Sequence, residues 1–412
     1  MNTISDECSG AGSAPRRPEP FWWRMGSLGF AAGAWGLAWL AAGPADAASW
    51  DPAAADFRGR PGRTFYVSKL GDNSDGSSWP KAWHSIQTAL SAVPDDQGGH
   101  RIIVRPDTYA EANLAPSARG ADGAYNALIG DADGRLGSGA KGWVLVDSGD
   151  PKKGFKSWDW WSPFAASDKN WPTGNNRKTF SSLACDRWIF RNLYVAGGDA
   201  GLFWDLTDKS GAGFTVVVED CVGTGRAFGG GVCYPTVREH EPSVFRHCYF
   251  LALDWVGDTA AVLLGGWEKT MPAQPHVVFE DCTMVHPDNA VALSYASHCA
   301  RARFVNCRMI VLNFTQPEMG GKSTGIICTE KHPPEGRLHV DLEDCLLAGY
   351  SVFTNGKDAA AVSCTTKGKV QAYVQFKQPD TPGFERLGAW PAELFYHMAP
   401  PRTPGEWKGT GR

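Results

Sequence analysis

The 412-residue chain has no basic excess: 40 Lys and Arg stand against 44 Asp and Glu, a net charge of −4. Without a cationic footprint, nucleic acid is excluded as an expected partner. Its 48 Gly and 27 Pro are dispersed rather than concentrated, which is the pattern of many loops and not of a disordered tract. The DNSDG loop at Asp72–Gly76 lacks the spacing of an EF-hand, so its carboxylates read first as turn formers, with calcium as the alternative. No second globular domain is required, because a chain that is 43% hydrophobic can bury its core in a single solenoid.

What the chain does have is a recurring sentence. VVFEDCTMVHPDNAVAL, from Val277 to Leu293, reads as a short strand, a one-residue corner at Asp281, a second strand, a loop and a third strand. Equivalent units turn at Asn192, Asp220, His247, Asn306 and Asp344, at intervals of 25 to 38 residues. Strands are regular while loops are not, as in a solenoid whose insertions fall between strands. Asn and Asp suit the corner because short polar side chains tolerate a left-handed backbone. Three parallel strands per coil predict an all-β right-handed parallel β-helix.

Cys221, Cys248, Cys282, Cys307 and Cys345 follow these corners directly and occupy one inward position. Stacked at an inter-strand spacing of about 4.8 Å, their Cβ atoms exceed the roughly 3.5 to 4.5 Å of a disulfide. The expectation is a column of buried thiols behaving as small hydrophobes.

At the N-terminus, Arg16, Arg17 and Arg24 precede an apolar run from Met25 to Ala42, and Ala45 with Ala47 forms an A-x-A site. This reads as a secretory signal over residues 1–47, cut before Ala48, leaving a secreted, periplasmic or cell-surface protein with no stable membrane span; an uncleaved anchor is the alternative. No cysteine stands at the cleavage point, which argues against a lipoprotein. Residues 48–62 form a polar lead-in, 63–355 the β-helix, and 356–412 a C-terminal strand and capping tail. Ile86, Ala89, Leu90 and Val93 fall at helical spacing and predict a helix covering the open first coil.

The stretch FYVSKLGDNSDGSSWPKAWHSIQTAL followed by RIIVRPDTY, together with the repeats, resembles the pectin-lyase-like superfamily of right-handed parallel β-helices. Where that family has Pro-Gly-Thr, this chain has Pro106, Asp107 and Thr108. The resemblance spans roughly residues 63 to 355 and is specific for fold, since the superfamily includes lyases, hydrolases, epimerases and non-catalytic proteins.

The resemblance implies a substrate face outside the third strand of each coil. With Leu202, Val232, Val262, Val291, Ile326 and Val352 inward, the outward row is Phe203, Cys233, Leu263, Ala292, Ile327 and Phe353, which lacks charge. That disfavours the paired carboxylates of a glycoside hydrolase. A lyase needs a cation beside a uronate carboxylate and a base for the adjacent proton. The loops supply Arg238, His240 and Lys269 as catalytic candidates, and Trp158, Trp160, Trp161, Lys331 and His332 as substrate-binding candidates. Charged turns on a solvated edge are the competing reading of these groups. Asp254, Asp258 and Asp288 are candidate Ca2+ ligands if stacked coils bring them together, and solvated loop carboxylates otherwise. Two functions therefore stay open. One is an exported polysaccharide-binding protein, with elimination favoured over hydrolysis if it is catalytic. The other is a non-catalytic envelope scaffold whose apolar floor is covered by its C-terminal segment or by a second subunit.

Overall fold

The computed structural model describes residues 61–147, 185–196, 200–205, 213–225, 228–233, 238, 241–252, 260–265, 270–287, 289–293, 299–312, 325–329, 337–349, 362–374, 385–387 and 399–404. Their strands form three parallel sheets, the architecture of a parallel β-helix.

The first sheet contains β1 (Thr64–Val67), β2 (Arg101–Val104), β4 (Asn126–Gly130), β6 (Trp188–Arg191), β9 (Val216–Glu219), β12 (Ser243–Arg246), β15 (Val277–Glu280), β18 (Ala300–Val305), β21 (Leu338–Glu343) and β23 (Val362–Lys367), in that order. The second contains β3 (Asp107–Tyr109), β5 (Val144–Asp147), β7 (Leu193–Ala196), β10 (Val222–Gly225), β13 (Tyr249–Ala252), β16 (Thr283–His286), β19 (Arg308–Val311), β22 (Leu346–Gly349), β24 (Gln371–Val374) and β25 (Glu385–Leu387). The third contains β8 (Ala200–Asp205), β11 (Phe228–Cys233), β14 (Ala260–Leu264), β17 (Asn289–Leu293) and β20 (Gly325–Thr329).

The corner between first and second sheets is the one the sequence predicts. Asn192, Asp220, His247, Asp281, Asn306 and Asp344 all have positive φ, from 49° to 58°. A side chain in this left-handed region costs about 1–2 kcal/mol. Local bonds offset part of that: Asn192 donates from Nδ2 to the Gly130 carbonyl (3.2 Å), and Asn306 donates to Asp281. His247 lies between Asp220 and Asp281, at 3.5 and 3.6 Å.

Because every coil turns at the same place, side chains superpose in columns. Phe245, Phe279 and Phe304 stack with nearly parallel rings at centroid distances of 4.9 and 5.0 Å, with Phe250 edge-on to two of them. The five cysteines form the expected column: all are buried and free. Their backbones pass bonds from coil to coil at the next residue, as from the Tyr249 amide to the Cys221 carbonyl (3.0 Å). Each thiol also finds a carbonyl two residues back, for example Cys248 Sγ to Arg246 O at 3.2 Å and Cys282 Sγ to Glu280 O at 3.3 Å. Burial pushes all five thiols above their ordinary pKa, so they are poor nucleophiles in the folded chain.

The last residues of β6, β9, β12 and β15 carry charge. Arg191, Glu219, Arg246 and Glu280 are in register across β6, β9, β12 and β15. They alternate in sign and bond in series: Arg191 to Glu219 (Nε–Oε2 2.7 Å), Glu219 to Arg246 (3.0 Å) and Arg246 to Glu280 (2.7 Å). Opposite charges placed directly across a strand pair stabilise the sheet by a few tenths of a kcal/mol to about 1 kcal/mol each.

At the start of the solenoid, helix α1 (Ile86–Ser91) forms with Ser85 as N-cap, and Ile86, Ala89 and Leu90 enter the core. Glu111 accepts the Ile86 and Gln87 amides at 2.8 Å each, satisfying donors that a helix N-terminus leaves open. At the other end the sheets continue beyond residue 355. β23 pairs with β21, and β24 pairs with β22 and β25, so residues 362–387 contribute strands to the coil.

The third sheet departs from the expected register. Leu202 aligns with Gly230, Val262, Val291 and Ile327, not with Val232 and Ile326. Glycine causes the shift: Gly229, Gly230 and Gly231 carry no side chain from which inward and outward can be read. A Cβ on Gly230 would run into the Phe250 ring, so this position faces the core where coils pinch together. Ile327 is in the core cluster, along with its neighbour Ile326. Val352 lies outside the described residues.

Candidate functional site

The third sheet presents Phe203, Gly231, Leu263, Ala292 and Cys328 in one register, flanked on either side by the core-facing row. Alternation turns Leu263 outward between Val262 and Leu264. It is nevertheless only 1% exposed in the single chain. At that rung the chain's own atoms close the face to solvent.

Where the chain crosses back from the third sheet to the first, six polar side chains from separate coils converge. Arg238 forks onto Asp186, Nη1 to Oδ1 at 3.1 Å and Nη2 to Oδ2 at 3.0 Å. It also donates to Thr215 Oγ1 (3.0 Å) and the Gly213 carbonyl (2.8 Å), and its Nε lies 3.3 Å from Glu241. Arg187, at positive φ, clamps the same Glu241 with Nε and Nη2 (3.1 and 3.0 Å), while Tyr125 donates its hydroxyl to it at 2.5 Å. Two guanidinium groups thus face two carboxylates, mostly out of solvent.

Burial by itself would raise the Glu241 pKa, but the bonds from Arg187 and Tyr125 and the charge of Arg238 hold it below the usual carboxylate range. Burial, followed by the bond to Glu241, raises the Tyr125 hydroxyl, so that group is a fixed donor at neutral pH. The arrangement ties together the starts of four successive coils, those of β4, β6, β9 and β12. A cation for a sugar carboxylate needs donors aimed outward, whereas those of Arg238 meet protein acceptors. Sequence spacing could not disclose this pairing, because Asp186 and Arg238 are 52 residues apart.

Of the catalytic, substrate-binding and metal candidates in the loops between strands, Arg238 alone is described. His240, Lys269, Lys331, His332, Trp158, Trp160, Trp161, Asp254, Asp258 and Asp288 lie outside the described residues. His286 ends β16 fully buried. Asp205 is the last residue of β8, in register with Cys233. The Asp72–Gly76 loop is held by its own groups: Asp72 accepts the Ser74 amide and Asp75 the Ser77 amide, at 3.0 and 2.9 Å. Among the described residues no group of three or more His, Cys, Asp or Glu is arranged to hold a metal ion, and no helix is long and apolar enough to cross a membrane.

No protein-family model and no curated protein matches the chain. Solved structures similar to it include pectate lyase Pel9A, with 14% identity, a TM-score of 0.49 and coverage of 80% of this chain and 75% of that one. A rhamnogalacturonan lyase gives 13% identity, a TM-score of 0.48 and coverage of 76% and 74%. A pectin methylesterase from Aspergillus niger gives 14% identity, a TM-score of 0.35 and coverage of 81% and 87%. The parallel β-helix itself is established by the strand order of this chain.

Proposed function

We propose that this protein is an exported polysaccharide-binding β-helix whose sugar-contacting face is formed by the third sheet and its flanking loops. The observation that carries the reading is the sheet itself: five parallel strands in continuous register, a surface repeating about every 4.8 Å over roughly 19 Å. An extended periodic face of this kind suits a linear repeating polymer. In the catalytic form of this reading the reaction is elimination next to a uronate. His240 takes the proton and Lys269 neutralises the developing charge, while Trp158, Trp160 and Trp161 stack on sugar rings and Lys331 and His332 hold carboxylates. Arg238 serves from behind, tying the wall to Asp186 and Glu241.

The test is a screen of uronate polymers for the ultraviolet absorbance of unsaturated products, paired with binding on glycan arrays. Activity that disappears in His240→Ala and Lys269→Ala supports elimination. Binding without activity supports recognition alone, and silence in both assays overturns the proposal.

The burial of Leu263 favours a second reading, a non-catalytic scaffold whose floor is closed by its own chain. Because residues 371–374 and 385–387 are strands of the coil, the truncation that tests this cover starts at 388. Association or loss of solubility in the shortened protein supports the cover, and a soluble monomer argues against it.

A further inference from the structure

The outer face of the first sheet carries a second cluster with the layout of an acyl-transfer site. His339 on β21 pairs directly with Ser363 on β23, and Asp341 pairs with Thr365. Inward neighbours Val340 and Leu342 are buried in the core, which turns His339 and Asp341 to the outside together. Ser363 Oγ is 2.7 Å from His339 Nδ1. His339 Nε2 is 3.0 Å from Thr365 Oγ1 and 3.3 Å from Asp341 Oδ1.

Asp341 is itself fixed. Arg301, on β18, donates from Nε to Oδ2 at 2.9 Å and from Nη2 to Oδ1 at 3.1 Å, a two-point fork. Burial alone would raise the Asp341 pKa, but the Arg301 bonds and charge outweigh it and keep the carboxyl ionised. An ionised carboxylate only accepts, so Nε2 carries the imidazole proton, and the Nδ1 lone pair is left to accept from the serine hydroxyl. This is the order nucleophile, base, orienting carboxylate on which nucleophilic catalysis depends.

From this geometry we propose that Ser363, His339 and Asp341 form a site that hydrolyses O-acyl esters. Ser363 and His339 are its catalytic residues, and Asp341 with Arg301 behind it positions the base. Ser363 is exposed on its strand, within reach of an ester carried on a larger molecule. Its Oγ attacks the carbonyl carbon while its proton passes to His339 Nδ1. The bond to the alcohol oxygen breaks, the alcohol leaves with that proton, and the acyl group stays on Ser363. Water then repeats the sequence, releasing the acid and restoring the hydroxyl.

A donor for the transient oxyanion is at hand. Lys367 turns its carbonyl toward β21, where it accepts from the Asp344 amide at 3.2 Å. Alternation along β23 therefore directs the Cys364 amide the other way, off the last described strand of the sheet and next in sequence to the nucleophile. Acetate esters, which carry a small acyl group, are the probe of choice.

The site lies on a different sheet from the proposed sugar face and does not depend on that reading. The full-length protein is treated with a fluorophosphonate and digested, and the adduct is located by mass spectrometry. Hydrolysis of 4-nitrophenyl acetate is followed in parallel. We expect the adduct on Ser363, and a fall in rate of about 100-fold or more in Ser363→Ala and His339→Gln. Asp341→Asn should retain labelling at a reduced rate with an altered pH profile. Absence of an adduct on Ser363 in folded protein overturns the proposal, as does a Ser363→Ala variant that hydrolyses the ester as fast as the parent. Either result makes the cluster a cross-strand polar ladder and nothing more.

Discussion

Acidification should weaken this fold through His276, a buried residue whose ring bonds the backbone of Arg301. His276 precedes β15, is 3% exposed, and accepts the Arg301 amide on Nδ1 at 3.2 Å. Burial lowers its pKa to about 4, against opposing backbone bonds at Gly265 and Arg301. In the unfolded chain a histidine titrates near pH 6.5. Between those values the unfolded state binds a proton that the folded state refuses. The contribution is therefore complete above pH 6.5 and is lost as the pH falls toward 4. The gap of about 2.5 pH units corresponds to roughly 3 kcal/mol.

His276→Asn isolates the effect, because the Asn Oδ1 can still accept the Arg301 amide but does not titrate. The smaller side chain should itself cost about 1–3 kcal/mol at neutral pH, so the readout is the slope and not the offset. Urea unfolding of both proteins from pH 7 to pH 4 measures it. The stability difference between parent and variant should narrow, and then reverse or vanish, by about 3 kcal/mol over that range. Parallel curves would refute the reasoning. His247 acts with the opposite sign: the bond to Asp220 raises its pKa, so its contribution is present below pH 6.5 and fades as the pH rises through the raised value.

Three further outcomes follow from particular contacts. Gly230→Ala drives a methyl into the Phe250 ring and should cost about 1–3 kcal/mol in denaturant unfolding; an unchanged midpoint contradicts the inward placement of that row. Arg238→Ala leaves Asp186, whose side chain is only 7% exposed, without its partner and should lower stability by about 3–5 kcal/mol, a loss that a purely substrate-facing arginine would not show. Asp220→Ala keeps a Cβ at a φ of 52° but loses the polar group, and should be less stable than Asp220→Gly by about 1 kcal/mol; equal melting temperatures would remove the corner argument.

The solenoid was legible because its constraints are local. Each of Asn192, Asp220, His247, Asp281, Asn306 and Asp344 is followed by an inward residue and preceded by a strand, so corner and column can be read from a few consecutive letters. The alternating Arg191, Glu219, Arg246 and Glu280 stand one position before successive corners. That signal was present in the repeat and went unread. The third sheet was harder, since Gly229, Gly230 and Gly231 erase the side-chain pattern that sets register, and the core takes Ile326 and Ile327 in succession.

The site was legible only in part. Arg238 reads from the sequence as a catalytic candidate for an acidic sugar, whereas Asp186 and Glu241, which it meets, and Arg187 and Tyr125, which share Glu241, come from separate coils, and only superposition of the coils brings them together. Ser363 was invisible for another reason. Residues 356–412 read as a C-terminal strand and capping tail outside the repeat, so the pairing of β23 with β21 that sets Ser363 beside His339 shows only in the structure.

The central claim is that successive coils superpose, with Cys221, Cys248, Cys282, Cys307 and Cys345 as one reduced column in the core. Pulsed alkylation with peptide-level mass spectrometry tests it, applied to native protein and to protein unfolded without reductant. The account predicts that none of the five is labelled before unfolding and that all five are labelled afterwards; a disulfide among them, or ready labelling of any one in the native state, would contradict it.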